Sequence, residues 1–244
     1  MSLRVFVAGA TGVIGARLVP LLVAAGYQVA GMTRSAARAE AVRAAGASAV
    51  IADVFDAPAL ERALVELRPH VVIHQLTDLP RNLDPKLMAE ATVRNARIRS
   101  EGTKNLVQAA LASGARRLIA QSIAWIYAPG AEPHTEGDAL DLASEGSRGI
   151  SARGVAELER LTLSSPPLAG VVLRYGQLHG PGSGRAIAEG SAPVHADAAA
   201  HAALLAVERG AGIYNVAEET PYQSSRKARA ELGWDPSFRL TVAS

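Results

Sequence analysis

Three glycines near the start of the chain form a turn that could hold phosphate groups. Residues 5–8 lead directly into Gly9-Ala10-Thr11-Gly12-Val13-Ile14-Gly15, where a helix is expected to begin. Glycine is needed where a backbone turns sharply, where it approaches a pyrophosphate, and where a strand and a helix pack closely. The free N–H groups of such a turn and the dipole of the following helix favour an anion. We therefore predict a dinucleotide site formed by Gly9, Thr11, Gly12, Val13, Ile14 and Gly15. A glycine turn that binds nothing is the alternative.

The residues after the second predicted strand indicate which dinucleotide is bound. An NAD site usually has an acidic residue there, which accepts hydrogen bonds from the ribose 2′-hydroxyl. This chain has Arg34 instead, and no carboxylate before Glu40. Arg34 can pair with a 2′-phosphate, and Arg38, one helical turn later, can add a second cation. We predict NADP as the cofactor, with NAD as the alternative and two solvated arginines as the neutral explanation.

Short β-branched runs alternate with Ala-, Leu- and Arg-rich helical stretches, which is typical of a parallel βαβ sheet. The predicted strands are 3–8, 28–33, 49–52, 70–74, 117–122, 170–174 and 212–216. The predicted helices are 12–25, 35–45, 58–67, 85–113, 152–163 and about 197–208, and residues 128–149 are predicted to be an irregular loop. The fold class is therefore α/β, a doubly wound parallel Rossmann sheet with a small C-terminal lobe. We predict a dinucleotide-binding domain over residues 1–175 and a short substrate lobe over residues 176–244.

Composition excludes several classes of function. The 25 basic and 23 acidic residues are mixed along the chain with no basic block, so no nucleic-acid partner is expected. There is no cysteine, which excludes disulfides, thiolate catalysis and thiolate metal ligands, and no metal site is expected. No apolar run approaches the roughly 20 residues of a spanning helix, and the N-terminus does not have the pattern of a secretory signal. We expect a cytoplasmic protein without a membrane partner.

The chain resembles the short-chain dehydrogenase/reductase superfamily, in its extended and atypical, epimerase-like branch. The glycine turn is spaced Gly-x-x-Gly-x-x-Gly, as in that superfamily, and the resemblance extends over essentially the whole chain. Its further landmarks are Asn95 with Gly102-Thr103-Lys104-Asn105-Leu106, Leu173-Arg174-Tyr175-Gly176 with Gly180-Pro181-Gly182, Val194-His195-Ala196-Asp197, and Ile213-Tyr214-Asn215-Val216.

The resemblance implies further cofactor contacts. It places Asp53 and Val54 at the adenine, although an Asp at this point can also cap the next helix. It places Gln75, Leu76 and Thr77 where the family's backbone passes the ribose and pyrophosphate, and Tyr175 at the exit of the sixth strand. His74 is interpreted as a packed strand-end histidine rather than a catalyst. The resemblance also implies a homodimer through the helices over 85–113 and 152–163.

The acid/base pair that most members of this superfamily use is missing. In those members a Tyr acts as the acid/base, and a Lys four residues later lowers its pKa from near 10. The three lysines here, Lys86, Lys104 and Lys227, are preceded at that distance by Asn82, Ser100 and Gln223. Aligning the helix by its Glu-Arg-Leu ending puts Ser151 and Val155 at the two positions. A shift of two residues puts Gly149 and Arg153 there instead.

Two hydroxyl groups remain as candidates for catalysis. Ser122 lies one residue before the usual position of the family's Ser, and Tyr127 is the tyrosine nearest to the expected chemistry. Tyr127 can equally be a packed aromatic at the base of the following loop. Twelve residues separate Gly182 from His195, which favours a small substrate over a bulky one. We predict an epimerase- or reductase-like enzyme that uses NADP(H) on a small carbonyl or hydroxyl substrate; a dinucleotide-binding sensor or scaffold without turnover is the alternative.

Overall fold

Parallel strands form the centre of the molecule. The structure, a computed structural model, describes residues 2–241. In chain order the strands of this part are β1 (Arg4–Ala8), β2 (Gln28–Thr33), β3 (Ser48–Ile51), β4 (Val71–His74), β5 (Arg117–Ile123), β6 (Ala169–Tyr175), β7 (Gln177–His179), β8 (Pro193–His195) and β9 (Gly212–Val216). Seven of them form one parallel sheet in the order β3-β2-β1-β4-β5-β6-β9, and β7 pairs with β8 in a separate ribbon.

Helices cover both faces of the sheet. They are α1 (Gly15–Ala24), α2 (Ala36–Ala44), α3 (Ala57–Leu67), α4 (Met88–Arg97), α5 (Thr103–Ala112), α6 (Gly146–Leu163) and α7 (Ala196–Leu205). Two 3-10 turns (Arg81–Leu83 and Pro85–Leu87) precede α4, a π-helical turn (Ile98–Gly102) joins α4 to α5, and a second π-helical turn is Ala228–Leu232.

The strands are almost continuously apolar because each of their faces is covered. Alternate residues of β1 point to opposite faces, as the pleat requires. Val5 and Val7 pack in a core that also contains residues of α1 and α7, whereas Phe6 packs in a core with residues of α3 and α5. The doubly wound α/β fold that the sequence predicts is confirmed. Chain order reverses between β1 and β4, and ligands of such sheets bind outside the carboxyl ends of the strands at this point.

The helical region predicted over residues 85–113 is present from Pro85 to Ala112, but it is not one continuous α-helix. Pro85–Leu87 forms a 3-10 turn, and Ile98–Gly102 is a π-helical turn instead of an α-helical one. Packing from other elements fixes the second interruption. A Cβ on Gly102 would lie 3.2 Å from Val54 Cγ1, and Thr103 Oγ1 lies 3.1 Å from His74 Nε2.

The loop predicted over residues 128–149 is shorter than expected, because α6 begins at Gly146. The carboxylate of Asp141 accepts hydrogen bonds from Ser144 N and from Arg148 Nε, which fixes the first turn of the helix. A Cβ on Gly149 would lie 1.8 Å from the Ser144 carbonyl oxygen, so glycine allows this close approach. Glycines that suggest a loop in the sequence are therefore helical here for a packing reason.

The C-terminal segment contributes directly to the main sheet. β9, which lies in the predicted lobe over residues 176–244, pairs with β6 along Val171–Tyr175. The sequence did not predict β7, β8 or the Ala228–Leu232 turn. Division of the chain at residue 175 stays a prediction.

Candidate active site

The glycine turn has the tight geometry that phosphate binding requires. Gly9 has a φ of +88°, and a Cβ there would lie 2.6 Å from the Gln75 carbonyl oxygen. A Cβ on Gly15 would lie 2.2 Å from the Gly9 carbonyl oxygen. On Gly12 a Cβ would have only an ordinary contact, 3.4 Å from the same oxygen. Gly9 and Gly15 therefore permit the close packing of the turn, and Gly12 leaves open space for a ligand. This turn fits a dinucleotide pyrophosphate.

A cleft of about 740 Å³ lies beside this turn, at the carboxyl ends of the strands. Its lining brings together eight of the predicted cofactor residues: Thr11, Gly12, Val13, Ile14, Arg34, Gln75, Thr77 and Tyr175. Five others are not part of the lining: Gly9, Gly15, Asp53, Val54 and Leu76.

Three of the residues outside the lining, Asp53, Val54 and Leu76, have contacts within the protein. Asp53 Oδ1 accepts a hydrogen bond from Phe55 N at 3.0 Å, whereas Asp56 caps α3 through Ala59 N. The alternative that Asp53 caps this helix is therefore wrong. Val54 is buried, and Leu76 N donates to His74 Nδ1 at 3.2 Å. Contact of Asp53, Val54 and Leu76 with the cofactor stays a prediction.

Two arginines follow β2 at the edge of the cleft, where the sequence predicts contact with a 2′-phosphate. Arg34 and Arg38 both line the cleft. The side chain of Arg34 is 56% exposed, and its nearest carboxylate, Asp78, is 4.0 Å away. Asp78 also pairs with Arg94 at 3.1 Å, so it does not neutralise Arg34 fully. The guanidinium of Arg34 is thus available to a 2′-phosphate.

The hydroxyl groups of the two predicted catalytic residues form hydrogen bonds with other side chains of the protein. Ser122 Oγ donates to Glu159 Oε1 at 2.7 Å. The same carboxylate forms a two-bond ion pair with Arg174, at 2.8 and 2.7 Å. Arg174 also donates to the hydroxyl of Tyr127 at 3.0 Å, and Tyr127 donates to Asn215 Oδ1 at 2.5 Å. We call these five residues the Glu159–Arg174 network, and all of them are buried.

This geometry does not support an acid/base role for Tyr127. Its side chain is 2% exposed and is not part of the cleft lining. Burial raises the pKa of the Tyr127 hydroxyl, although Arg174 partly opposes the increase. The phenol therefore stays protonated at neutral pH and keeps its hydrogen bond to Asn215. Ser122 does line the cleft, but its proton is directed to Glu159, so it cannot donate to a substrate without breaking that bond.

The structure separates the two alignments of α6 that the sequence leaves open. Ser151 lines the cleft, and Val155 is fully buried. Arg153 is directed to the preceding loop, where it donates to the carbonyl groups of Leu142 and Ser144 at 3.4 Å. The cleft lining therefore favours the alignment that puts Ser151 at the position of the family's Tyr and Val155 at that of its Lys.

Several cleft residues were missed in the sequence. They include Gln121, Trp125, Arg185 and Arg99. Arg99 had a usable signal, because it follows Asn95 by four residues and such positions share one helix face. Trp125 and Arg185 are on loops, where no periodicity indicates direction.

His74 is buried behind the cleft as a neutral imidazole. Its Nδ1 accepts from Leu76 N, which leaves Nε2 to donate to Thr103 Oγ1. Burial lowers the pKa of His74 to about 4, and the nearby charge of Arg99 acts in the same direction. The interpretation of His74 as a packed residue agrees with this geometry.

We expect the free energy of unfolding to fall as the pH is lowered through the window set by His74. Unfolded histidine takes up a proton below about pH 6.5, whereas folded His74 does so only near pH 4. The unfolded state therefore gains protons first, and as the pH falls across this window about 3 kcal/mol of stability is lost. Urea denaturation between these pH values measures the loss. His74→Gln should reduce it, and an unchanged pH dependence in that variant would contradict the assignment.

The comparison with protein families decides the class of the chain. The model of the NAD dependent epimerase/dehydratase family matches residues 5–208, from β1 to the end of α7. The chain belongs to this family. Its members' cofactor is a nicotinamide dinucleotide, which agrees with the glycine turn. The predicted enzyme class, an NAD(P)-dependent oxidoreductase or epimerase-like protein, is confirmed at this level.

The sequence is similar to that of a curated protein, the 3-diazoavenalumate denitrifying reductase of Streptomyces sp. It is 43% identical over 265 aligned residues, which cover 99% of this chain and 82% of the relative.

Solved structures of the family share the fold. UDP-glucose 4-epimerase of Thermotoga maritima, solved with UDP-glucose, is similar with a TM-score of 0.77 at 19% identity, covering 97% of this chain and 94% of that one. UDP-glucose 4-epimerase of Thermus thermophilus, solved with NAD, has a TM-score of 0.76 at 23% identity over 98% and 95% of the two chains. These likenesses confirm the architecture of the sheet.

In the part of the chain that is described, no helix is both long enough and apolar enough to cross a membrane.

Proposed function

We propose that this enzyme is an NADP(H)-dependent reductase that removes a diazo group from a small organic anion and releases dinitrogen. The observation that carries this proposal is a cleft with a dinucleotide-binding turn but without the family's acid/base pair. The relative that is 43% identical is named as a denitrifying reductase of a diazo compound, which supports the same chemistry.

Removal of a diazo group suits a cleft of this kind because the leaving group needs no proton. The bound cofactor would supply a hydride, which forms the new C–H bond while dinitrogen leaves with the electrons of the C–N bond. Reduction of a carbonyl group differs, because the developing alkoxide needs a proton donor. Within residues 2–241, the titratable groups that line the cleft are arginines, Asp78 and Tyr175. Asp78 is paired with Arg94, and burial raises the pKa of Tyr175 far above neutrality.

In this proposal the chain's own residues bind and orient the reactants. The glycine turn holds the pyrophosphate, and Arg34 with Arg38 holds the 2′-phosphate. Gln75 donates to the Tyr175 hydroxyl at 3.2 Å, and its buried Oε1 has no partner within the described residues. This amide oxygen is an acceptor for a hydrogen-bond donor of the cofactor, a role that agrees with its position between the turn and β6.

Transfer of deuterium tests the proposed reaction. An aryl diazonium carboxylate is incubated with NADPH deuterated at the transferred position of the nicotinamide. We expect equal amounts of dinitrogen and NADP, with deuterium on the carbon that carried nitrogen. A panel of aldehydes and ketones is the control. Faster NADPH oxidation with a ketone than with the diazonium compound would contradict the proposal. Tight NADPH binding without reduction of either class would favour the alternative of a sensor or scaffold.

Arg34→Ala should weaken NADPH binding by roughly tenfold to a hundredfold and leave NADH binding nearly unchanged. This range corresponds to the loss of one charge-assisted contact of about 1.5–3 kcal/mol. Calorimetric titration with both cofactors measures it. Arg43→Ala is a matched control, because Arg43 is an exposed arginine of the same region that pairs with Glu40. Equal losses for NADPH and NADH, or a preference of the natural protein for NADH, would show that NADP is the wrong cofactor.

Tyr127→Phe and Ser122→Ala should retain most of the activity on the diazo compound. Removal of a general acid or base usually lowers the rate by roughly a hundredfold or more. We expect a much smaller decrease, because both hydroxyl groups bind inside the Glu159–Arg174 network. The kcat of each variant is measured below its unfolding temperature. A hundredfold decrease in either folded variant would restore the catalytic role that the sequence suggests.

Two further expectations remain proposals. We place the enzyme in the cytoplasm, on the composition of the chain. A homodimer through the helices at 85–113 and 152–163 is supported by exposed apolar side chains on them, Val93, Leu111 and Leu163.

A further inference from the structure

An arginine without a carboxylate partner lines the cleft. Arg99 lies in the π-helical turn between α4 and α5, one turn after Asn95, which also lines the cleft. Short π-helical turns within α-helices often occur at functional sites, where they redirect a side chain. The turn packs on α6, which contributes Ser151 to the same cleft.

The other arginines of this helical segment are neutralised. Arg97 forms two hydrogen bonds with Glu101, at 2.7 and 3.0 Å. Arg94 pairs with Asp78 at 3.1 Å and with Glu90 at 3.5 Å. No such pair or side-chain hydrogen bond involves Arg99 within residues 2–241.

The electrostatic state of Arg99 reflects this isolation. Burial is the cause that lowers the pKa of its guanidinium to about 10, and no neighbouring carboxylate opposes the decrease. Arg99 is still a cation at neutral pH. A partly desolvated cation without a counterion is costly, and an entering anion would offset that cost.

Arg99 lies on the α6 side of the cleft, because its π-helical turn packs on that helix. Arg34 and Arg38 follow β2, on the far side of β1. Arg99 precedes Thr103 by four residues, and the Thr103 hydroxyl lies 3.1 Å from His74 Nε2 at the end of β4. Trp125 and Ser122, from β5 and the loop that follows it, line this other part of the cleft. An anion that reaches Arg99 beside Trp125 and Ser122 would belong to the substrate and not to the 2′-phosphate near Arg34.

We propose that Arg99 binds a carboxylate of the substrate through its planar guanidinium, and so restricts the enzyme to organic carboxylates. The two N–H groups of a guanidinium edge match the two oxygens of a carboxylate. Trp125 offers an apolar surface for the body of the same molecule. The inference rests on the proposed function for the identity of the reacting group, whereas the binding of the carboxylate can be tested without any reaction.

A carboxylate that cannot be reduced serves as the probe. The enzyme saturated with NADP is titrated with 3-phenylpropionate and, separately, with the neutral 3-phenylpropionamide, by calorimetry. Fluorescence of Trp125 gives a second readout, with Trp125→Phe as its blank, because the other tryptophan, Trp234, is buried away from the cleft lining. We expect the natural enzyme to prefer the carboxylate by roughly tenfold to a hundredfold, the effect of one charge-assisted contact.

Arg99→Met should abolish this preference, and Arg99→Lys should restore part of it. Arg62→Met, which removes an exposed arginine of α3, should leave the preference unchanged. With the diazonium carboxylate as substrate, Arg99→Met should raise KM more than it lowers kcat, and the corresponding amide should show no change in KM.

Three results would overturn the inference: equal affinity of the natural enzyme for carboxylate and amide, an Arg99→Met variant that keeps the preference, or an Arg99→Met variant that loses NADP affinity instead. The last result would assign the cation to the cofactor. A carboxylate preference that depends on Arg99, found together with failure to reduce any diazo compound, would overturn the proposed function and leave the carboxylate site standing.

Discussion

Gly12→Asp should abolish NADPH binding in a chain that remains folded. The structure gives this residue space, because a Cβ at position 12 has its nearest contact at 3.4 Å. A carboxylate there would face the pyrophosphate of the proposed site. Two like charges about 4 Å apart repel by roughly 4 kcal/mol at the effective dielectric constant of a protein surface. That energy corresponds to about a thousandfold loss of affinity.

Calorimetric titration with NADPH measures the effect, and thermal unfolding confirms that the variant is folded. Gly12→Asn is the matched control, because it has nearly the same shape without the charge and should lose much less affinity. Gly15→Ala should behave differently, since its Cβ would lie 2.2 Å from a backbone oxygen and destabilise the fold itself. Unchanged affinity in folded Gly12→Asp would remove the pyrophosphate from this turn.

Arg174→Met should lower the free energy of unfolding by about 3–5 kcal/mol, because it leaves the buried carboxylate of Glu159 without its cation. The side chains of this pair are 3% and 7% exposed, so water cannot replace the lost contact. The total stability of a domain is only about 5–15 kcal/mol, so the variant should be marginally stable. Denaturant unfolding measures the change.

A double variant, Arg174→Met with Glu159→Met, should be less destabilised than the sum of the two single variants, because no buried charge is then left unpaired. The exposed pair Glu157–Arg160 on the same helix is the control. Arg160→Met should lower the free energy of unfolding far less than Arg174→Met, as is usual for surface pairs. A loss below about 1 kcal/mol in Arg174→Met would show that the network does not stabilise the fold.

Features that depend on neighbouring residues could be predicted from the sequence. The phosphate turn is local, since its glycines are needed for the path of seven consecutive residues. The sheet follows from the short apolar runs, whose lengths and spacing indicate buried parallel strands. The arginines after β2 and the missing Tyr-x-x-x-Lys pair could also be read directly, because both are statements about residue types at fixed spacing.

The direction of polar side chains depended on residues far away in the chain. Ser122 and Tyr127 were reasonable candidates for catalysis by position, but their partners, Glu159 and Asn215, are 37 and 88 residues away. No feature of the neighbouring sequence indicates that these hydroxyl groups already form hydrogen bonds within the protein. Arg99 could not be recognised from the sequence for the same reason. Whether a carboxylate lies beside it depends on all the elements that pack around it, and these are distant in the chain.

By itself, the sequence determined the α/β fold, the glycine turn after β1 and the loss of the usual acid/base pair, because these follow from periodicity, glycine spacing and residue identity. Only the tertiary structure decided that Ser151 and not Arg153 lines the cleft, that Tyr127 is buried in an ion-pair network, and that a π-helical turn interrupts the helix at Arg99. Each of these is set by packing between elements that are distant in the chain, and such packing leaves no periodic signal in the sequence.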